Sequence, residues 1–211
     1  MVRSGGREAA LAAALSSEGL GASKAKWTRP TIAALPGDLS ASILTLYREL
    51  GGVQQEPRLM PAGWDLQLAD GTLVELDEQQ HFTRYRAASL ALNWASDMPW
   101  RNAYLSHCRT HEQLAAGYGG FWTNPSTERQ FGTAGTRGDF DGPGSPRAKQ
   151  RAVYDAIRDA HAAAGLVRLA RLSIYDDVVD TTLGAVLAGE EAAAPVRGAL
   201  TELIAQRTLQ P

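Results

Sequence analysis

The chain is short of cysteine, lysine, net charge and long apolar runs, and each shortage removes a class of explanation. Cys108 is the only cysteine, so no internal disulfide can form and the composition fits a reducing cytoplasm. The formal net charge is −2. Without a global field to attract a polyanion, any nucleic-acid contact must come from a local basic surface. The alanine-rich stretch Ala9 to Leu15 lies between Arg7 and Glu18. It is too short to span a bilayer and lacks the shape of a secretory signal, so no membrane partner is expected. Lysine occurs only at Lys24, Lys26 and Lys149, arginine carrying the remaining basic charge, which makes Lys149 stand out in the folded body.

What is present is 211 residues with 44% apolar content, enough for one full core. Residues 1–36 read as a peripheral segment with a short helix near Arg7 to Ser17 and a connector bearing Gly21, Pro30 and Pro36. Residues 37–211 read as one domain. Asp38-Leu39-Ser40 supplies an N-cap, with Asp38 the candidate, for a helix with Ile43, Leu44, Leu46, Tyr47 and Leu50 at helical spacing, closed by Gly51-Gly52. A strand near Val53 to Met60 follows, made irregular by Pro57. Residues 82–144 form an insertion of two helices, broken near Asp97-Met98-Pro99, and a loop rich in Gly, Ser, Thr, Asp and Pro. Ser145-Pro146 opens a long helix, Gly165 ends it, and Leu166 to Leu172 is a strand. Two C-terminal helices with a break before Pro195 complete the chain. Helix, three strands, helix, strand describes an α/β fold: a mixed sheet flanked by helices.

Between Trp64 and His81, acidic residues occupy positions where a hairpin would bury apolar ones. Ala69-Asp70-Gly71 suits a three-residue loop with Gly71 in the left-handed region. Leu68 then pairs with Thr72, and Asp65 faces Glu75. Strand alternation places Trp64, Leu66, Leu68, Val74 and Leu76 on one face and Asp65, Gln67, Glu75 and Asp77 on the other, with Leu73. A two-residue turn at Asp70-Gly71 would mix charge with core on both faces, so the longer loop is preferred. Three carboxylates on one strand face repel unless a cation sits among them, and hard oxygen ligands are what Mg²⁺ requires. The plainer alternative is a solvated hairpin whose polar face is acidic.

Glu75-Leu76-Asp77-Glu78-Gln79-Gln80-His81 resembles the Glu-Leu-Asp-Gly-x-x-His signature of very-short-patch-repair-like endonuclease domains, in the PD-(D/E)XK nuclease superfamily. Asp65 matches that superfamily's first acidic residue. Arg151 to Asp159, leading to Gly165-Leu166-Val167-Arg168-Leu169, is similar to the family's helix, glycine and final Arg-bearing strand. The resemblance covers residues 38–81 and 145–174. It implies a restriction endonuclease-like αβββαβ core and Mg²⁺-dependent hydrolysis of DNA, Mn²⁺ being an alternative ion. Asp65, Glu75 and Asp77 would hold the metal, His81 would move a proton or bind phosphate, and Lys149 or Arg151 would assist at the phosphate. Glu49 would be an outer carboxylate. The chain departs from the pattern in two places: Glu78 stands where the family has glycine, and Asp77 where the superfamily has its catalytic lysine. A nuclease fold without catalysis, binding DNA or protein, is therefore the rival expectation.

Arg84, Arg86, Arg147 and Trp122 make the insertion and the helix after it a candidate nucleic-acid surface, because basic groups neutralise phosphates and aromatic faces stack on unpaired bases. His107 and His111 share a helix face but lack an evident third ligand, so zinc is not expected. A homodimer is an expectation too, since cutting both strands needs two sites.

Overall fold

The computed structural model describes residues 6–117, 121–189 and 198–210. They form eight helices, a mixed five-stranded sheet and a small separate hairpin. The α/β class expected from the sequence is the class observed. The chain divides into two compact units, one of Met1–Arg29, Gly63–Glu78 and Gly165–Pro211, the other of Pro30–Ala62 and Gln79–Ala164.

The first unit holds the sheet. Its strands are β1 (Ser23–Lys24), β2 (Leu66–Gln67), β3 (Leu73–Asp77), β4 (Leu169–Ser173) and, after the short β5–β6 hairpin (Asp177–Val178 and Thr181–Thr182), β7 (Thr208–Leu209). They lie in the order β1-β2-β3-β4-β7, with β3 and β4 parallel and the other neighbours antiparallel. Leu66 pairs with Val74 and Gln67 with Leu73, which continues to Asp65 opposite Glu75. This is the register that the alternation of charge and core demands. Gly71 takes φ +88° in the turn, and Asp70 Oδ1 accepts the Thr72 N–H at 2.9 Å. Leu66, Leu68, Val74 and Leu76 then join Ala170 and Leu172 in one buried cluster.

Helices α1 (Gly6–Ser17), α7 (Leu183–Ala188) and α8 (Ala199–Arg207) cover that face. The N-terminal segment is therefore not peripheral: Leu11 and Leu15, one helical turn apart, are fully buried in the cluster. An alanine-rich helix with two leucines on one side is a thin amphipathic element, and the apolar sheet face must be covered by something. No strand forms between Val53 and Met60. Pro57 and Pro61 cannot donate to a ladder, and the strand beside β2 at the end of the sheet is β1.

The second unit packs α2 (Gly37–Glu49), α3 (Arg84–Leu90), α4 (Arg101–His111), α5 (Pro125–Phe131) and α6 (Pro146–Ala163). Ile43, Leu46 and Tyr47 of α2 meet Phe131 and the Val153, Ala156, Ile157 and Ala160 stripe of α6. Ser145 caps α6 as its sequence requires, its Oγ accepting the Ala148 N–H at 3.1 Å. Asp38 lies inside the first turn of α2, and Pro36 holds the cap position. The glycine-rich stretch expected to be a loop contains α5, started by a capping box between Asn124 and Thr127. The break expected before Pro195 lies outside the described residues.

Gly71 isolates the cost of turn conformation, because a Cβ there would meet nothing within 4 Å. Gly71→Ala is expected to lower stability by about 1 kcal/mol through its positive φ alone. Urea unfolding of the two proteins checks this, with an unchanged m-value.

Candidate metal site

Alternation on β3 sends Glu75 and Asp77 to the side away from the Leu66–Leu172 cluster, and the hairpin brings Asp65 opposite Glu75. The Glu75 carboxylate accepts the Asp65 backbone N–H at 3.1 Å, and the Asp65 carboxylate accepts the Leu76 N–H at 3.0 Å. Each acid thus fixes the other's strand. Glu75 and Asp77 are buried, which rules out a solvated acidic hairpin face. A buried carboxylate needs a cation or several donors to stay ionised. Asp77 has such a partner in Arg171, the residue that β4 sets beside Glu75. Its guanidinium forks onto both Asp77 oxygens at 2.8 and 2.7 Å, and both side chains are essentially inaccessible.

After β3 the chain makes a short turn to His81. The imidazole Nδ1 lies 2.8 Å from Asp155 Oδ2 on α6, a carboxylate that is itself almost fully buried. One turn earlier on α6, Arg151 Nη1 donates to the Gln80 carbonyl at 2.9 Å, holding the residue before His81. Asp77, His81 and Asp155 each offer a ligand atom, and these atoms lie within 4.8 Å of one another. Two carboxylates and an imidazole can hold a divalent ion: the carboxylates suit Mg²⁺ and Mn²⁺, and the nitrogen shifts preference towards the transition metal.

The expected metal set was Asp65, Glu75 and Asp77, whereas the group found among the described residues shares only Asp77 with it and adds His81 and Asp155. Asp155 was within the helix motif, but nothing in its neighbours reveals a bond to a residue 74 positions away. Lys149 is buried with its ammonium 5.5 Å from the centre of the Tyr85 ring, and burial lowers its pKa. Glu49 is exposed at the end of α2.

Three of the four residues expected on a nucleic-acid surface have other roles. Arg86 is fully buried, paired with Asp159 at 2.7 Å and set 5.7 Å from the centre of the Tyr104 ring. Trp122 is buried against Phe140, its indole N–H donating to the Gly135 carbonyl at 3.1 Å, so it is no stacking platform. Arg84 is clamped by Glu112 and Asp141, and its hydrogen bonds to Glu112, with the charges of both acids, raise its pKa. Arg147 is half-buried and bonds Gln150. The rings of His107 and His111 are 6.0 Å apart, and His111 has its pKa lowered by burial and by His107.

Residues 45–189 match a family described as a family of unknown function (DUF7255), and the chain belongs to that family. No curated protein and no solved structure matches the chain.

Two stability measurements follow from these buried charges. Arg171→Met leaves Asp77 with its fork removed and is expected to cost about 3–5 kcal/mol, while Asp77→Leu with Arg171→Met together recovers most of that loss. Chemical denaturation of the two singles and the double closes the cycle. Lys149→Met is expected to raise the melting temperature at neutral pH. The buried ammonium penalty is present below the folded-state pKa and relieved as pH rises through it, so the gain shrinks towards alkaline pH.

Proposed function

We propose that this family member hydrolyses phosphodiester bonds in DNA with a divalent cation held at Asp77, His81 and Asp155, Mn²⁺ or Mg²⁺ being the ions that suit the donors. The observation that carries the reading is that three ligand atoms from two buried carboxylates and one histidine lie within 4.8 Å. The resemblance of Glu75 to His81 to the endonuclease signature supports it, with Asp65 at the position of the first acidic residue. A divalent cation in such a site lowers the pKa of bound water and offsets charge on the attacked phosphate. Asp155 fixes the His81 ring by accepting from Nδ1, which leaves Nε2 to bind the ion or take a proton. Glu75 and Asp65, tied to each other's backbone, supply further negative charge for the ion. Arg151 anchors the turn that carries His81.

A second reading has a specific observation behind it. Asp77 stands where the nuclease superfamily has lysine, and its carboxylate already receives both arms of Arg171. A chain with this arrangement also suits a nuclease-fold module that binds DNA or protein and cuts nothing. Here Arg171 is a structural counter-charge.

Cleavage of supercoiled plasmid and of single-stranded oligonucleotides, each with Mg²⁺ or Mn²⁺, separates the two. Metal-dependent cleavage by the wild type is expected, faster with Mn²⁺, abolished by EDTA and reduced at least about 100-fold in Asp155→Asn and Glu75→Gln. Intact DNA under every metal and substrate, with calorimetry showing no binding of either ion, sinks the catalytic reading.

A further inference from the structure

The second unit contains a cleft of about 390 Å³ lined by Gln54, Arg58, Met60, Ser126, Arg129, Gln130 and Tyr154. It holds no residue of the metal group. Its lining carries two arginines and no carboxylate, whereas seven arginines elsewhere among the described residues stand against an acid. Arg7, Arg84, Arg86, Arg158, Arg168, Arg171 and Arg207 all have an acidic partner. Arg58 and Arg129 have none among the described residues. Both are exposed, so their guanidinium groups cost little to keep charged; the Arg58 Nε donates to the Met60 sulfur at 3.0 Å, which steadies the side chain and leaves its terminal nitrogens for an incoming anion.

The polar groups behind them are held in place. Gln130 is buried, and its amide oxygen accepts from Gln150 Nε2 at 2.9 Å. Its amide nitrogen donates to the Arg58 carbonyl at 3.3 Å and to the Tyr154 hydroxyl at 3.5 Å. Gln130 thereby ties the Arg58 backbone to Tyr154 on α6 and leaves the hydroxyl proton of Tyr154 available to a ligand. Beside these stand the Gln54 amide and the Ser126 hydroxyl, with the half-exposed Tyr154 ring and Met60 as the apolar surfaces. Paired cations for a phosphate, amides for base edges and an aromatic face for stacking are the components of nucleotide recognition. The volume is at the small end of ligand pockets, suited to one such unit.

We infer that the cleft lined by Arg58, Arg129, Gln130 and Tyr154 binds one nucleotide through its phosphate and base. That the nucleotide belongs to a DNA strand rests on the proposed nuclease reading; the chemistry of the cleft does not. The cleft then gives the protein a hold on a strand separate from the metal group, and it replaces Arg84, Arg86 and Trp122 as the candidate basic and aromatic surface.

The test is equilibrium binding in EDTA, so that failure of catalysis leaves the result readable. Fluorescence anisotropy of a labelled dT oligonucleotide is measured for the wild type, Arg109→Ala and the double variant Arg58→Ala/Arg129→Ala, with dTMP and inorganic phosphate as competitors. The double variant is expected to bind at least about 10-fold more weakly, with a salt slope smaller by roughly 0.7 for each lost phosphate contact. Arg109→Ala, which removes an exposed arginine outside the cleft, is expected to bind as the wild type does. Tyr154→Ala is expected to weaken the oligonucleotide and dTMP but leave phosphate unchanged, a split that a general loss of structure would not produce. Displacement of the oligonucleotide by dTMP marks the bound unit as a nucleotide; a saturable dTMP signal lost in the double variant, with no oligonucleotide binding, assigns the cleft to free nucleotides. Wild-type affinity within twofold of the double variant for every probe, or no binding of either nucleotide probe, overturns the inference.

Discussion

The arginine fork on Asp77 is the constraint on which the sheet depends. Arg171 and Asp77 sit on adjacent parallel strands, both almost completely shielded from water. Taking two ions out of solvent costs several kcal/mol each, and only close, bidentate geometry returns it. The pair therefore tolerates little change in the β3–β4 register. A slip by one residue would send Arg171 into the apolar cluster with Leu172 and Leu76. The same register sets Glu75 beside Arg171 and leaves Asp77 at the end of β3, from which the chain turns to His81.

A similar economy governs the second unit, where α6 is used on two sides. Val153, Ala156, Ile157 and Ala160 supply core to α2. Asp155 and Asp159, four apart and hence on one face, receive His81 and Arg86. Burying both carboxylates is tolerable because each meets a nitrogen donor at close range, Asp155 the His81 Nδ1 at 2.8 Å and Asp159 the Arg86 Nη1 at 2.7 Å. These bonds also join α6 to the turn after β3 and to α3, so the helix that carries a proposed metal ligand cannot rotate without breaking charge pairs and core together.

The fold was legible wherever a local rule applied. Gly71 at a positive φ and the alternation from Trp64 to Leu76 were sufficient for the hairpin register; Ser145-Pro146 was sufficient for the start of α6. Reading failed where the answer depended on a distant surface. The α1 leucines look marginal alone and become core only because a sheet face needs covering. The Val53 to Met60 segment has apolar residues but prolines that refuse a ladder. For the site, Glu75, Asp77 and His81 were visible as a motif with a turn between them. Arg171 and Asp155 were not, since charged residues on a strand and a helix look like solvent-facing ones until their burial is known.

The sequence by itself determined which chemical groups are available and which local geometry carries them: an acid-bearing hairpin with Asp65 against Glu75, a histidine just beyond it, and a capped helix after a long insertion. These follow from short-range sterics and alternation, which need no knowledge of distant partners. Only tertiary structure decided how the charges are spent. It neutralised Asp77 with Arg171, joined His81 to Asp155, buried Arg86 and Trp122, and left Arg58 and Arg129 facing a cleft. Such choices depend on desolvation and on partners far apart in the chain, quantities that no local pattern encodes.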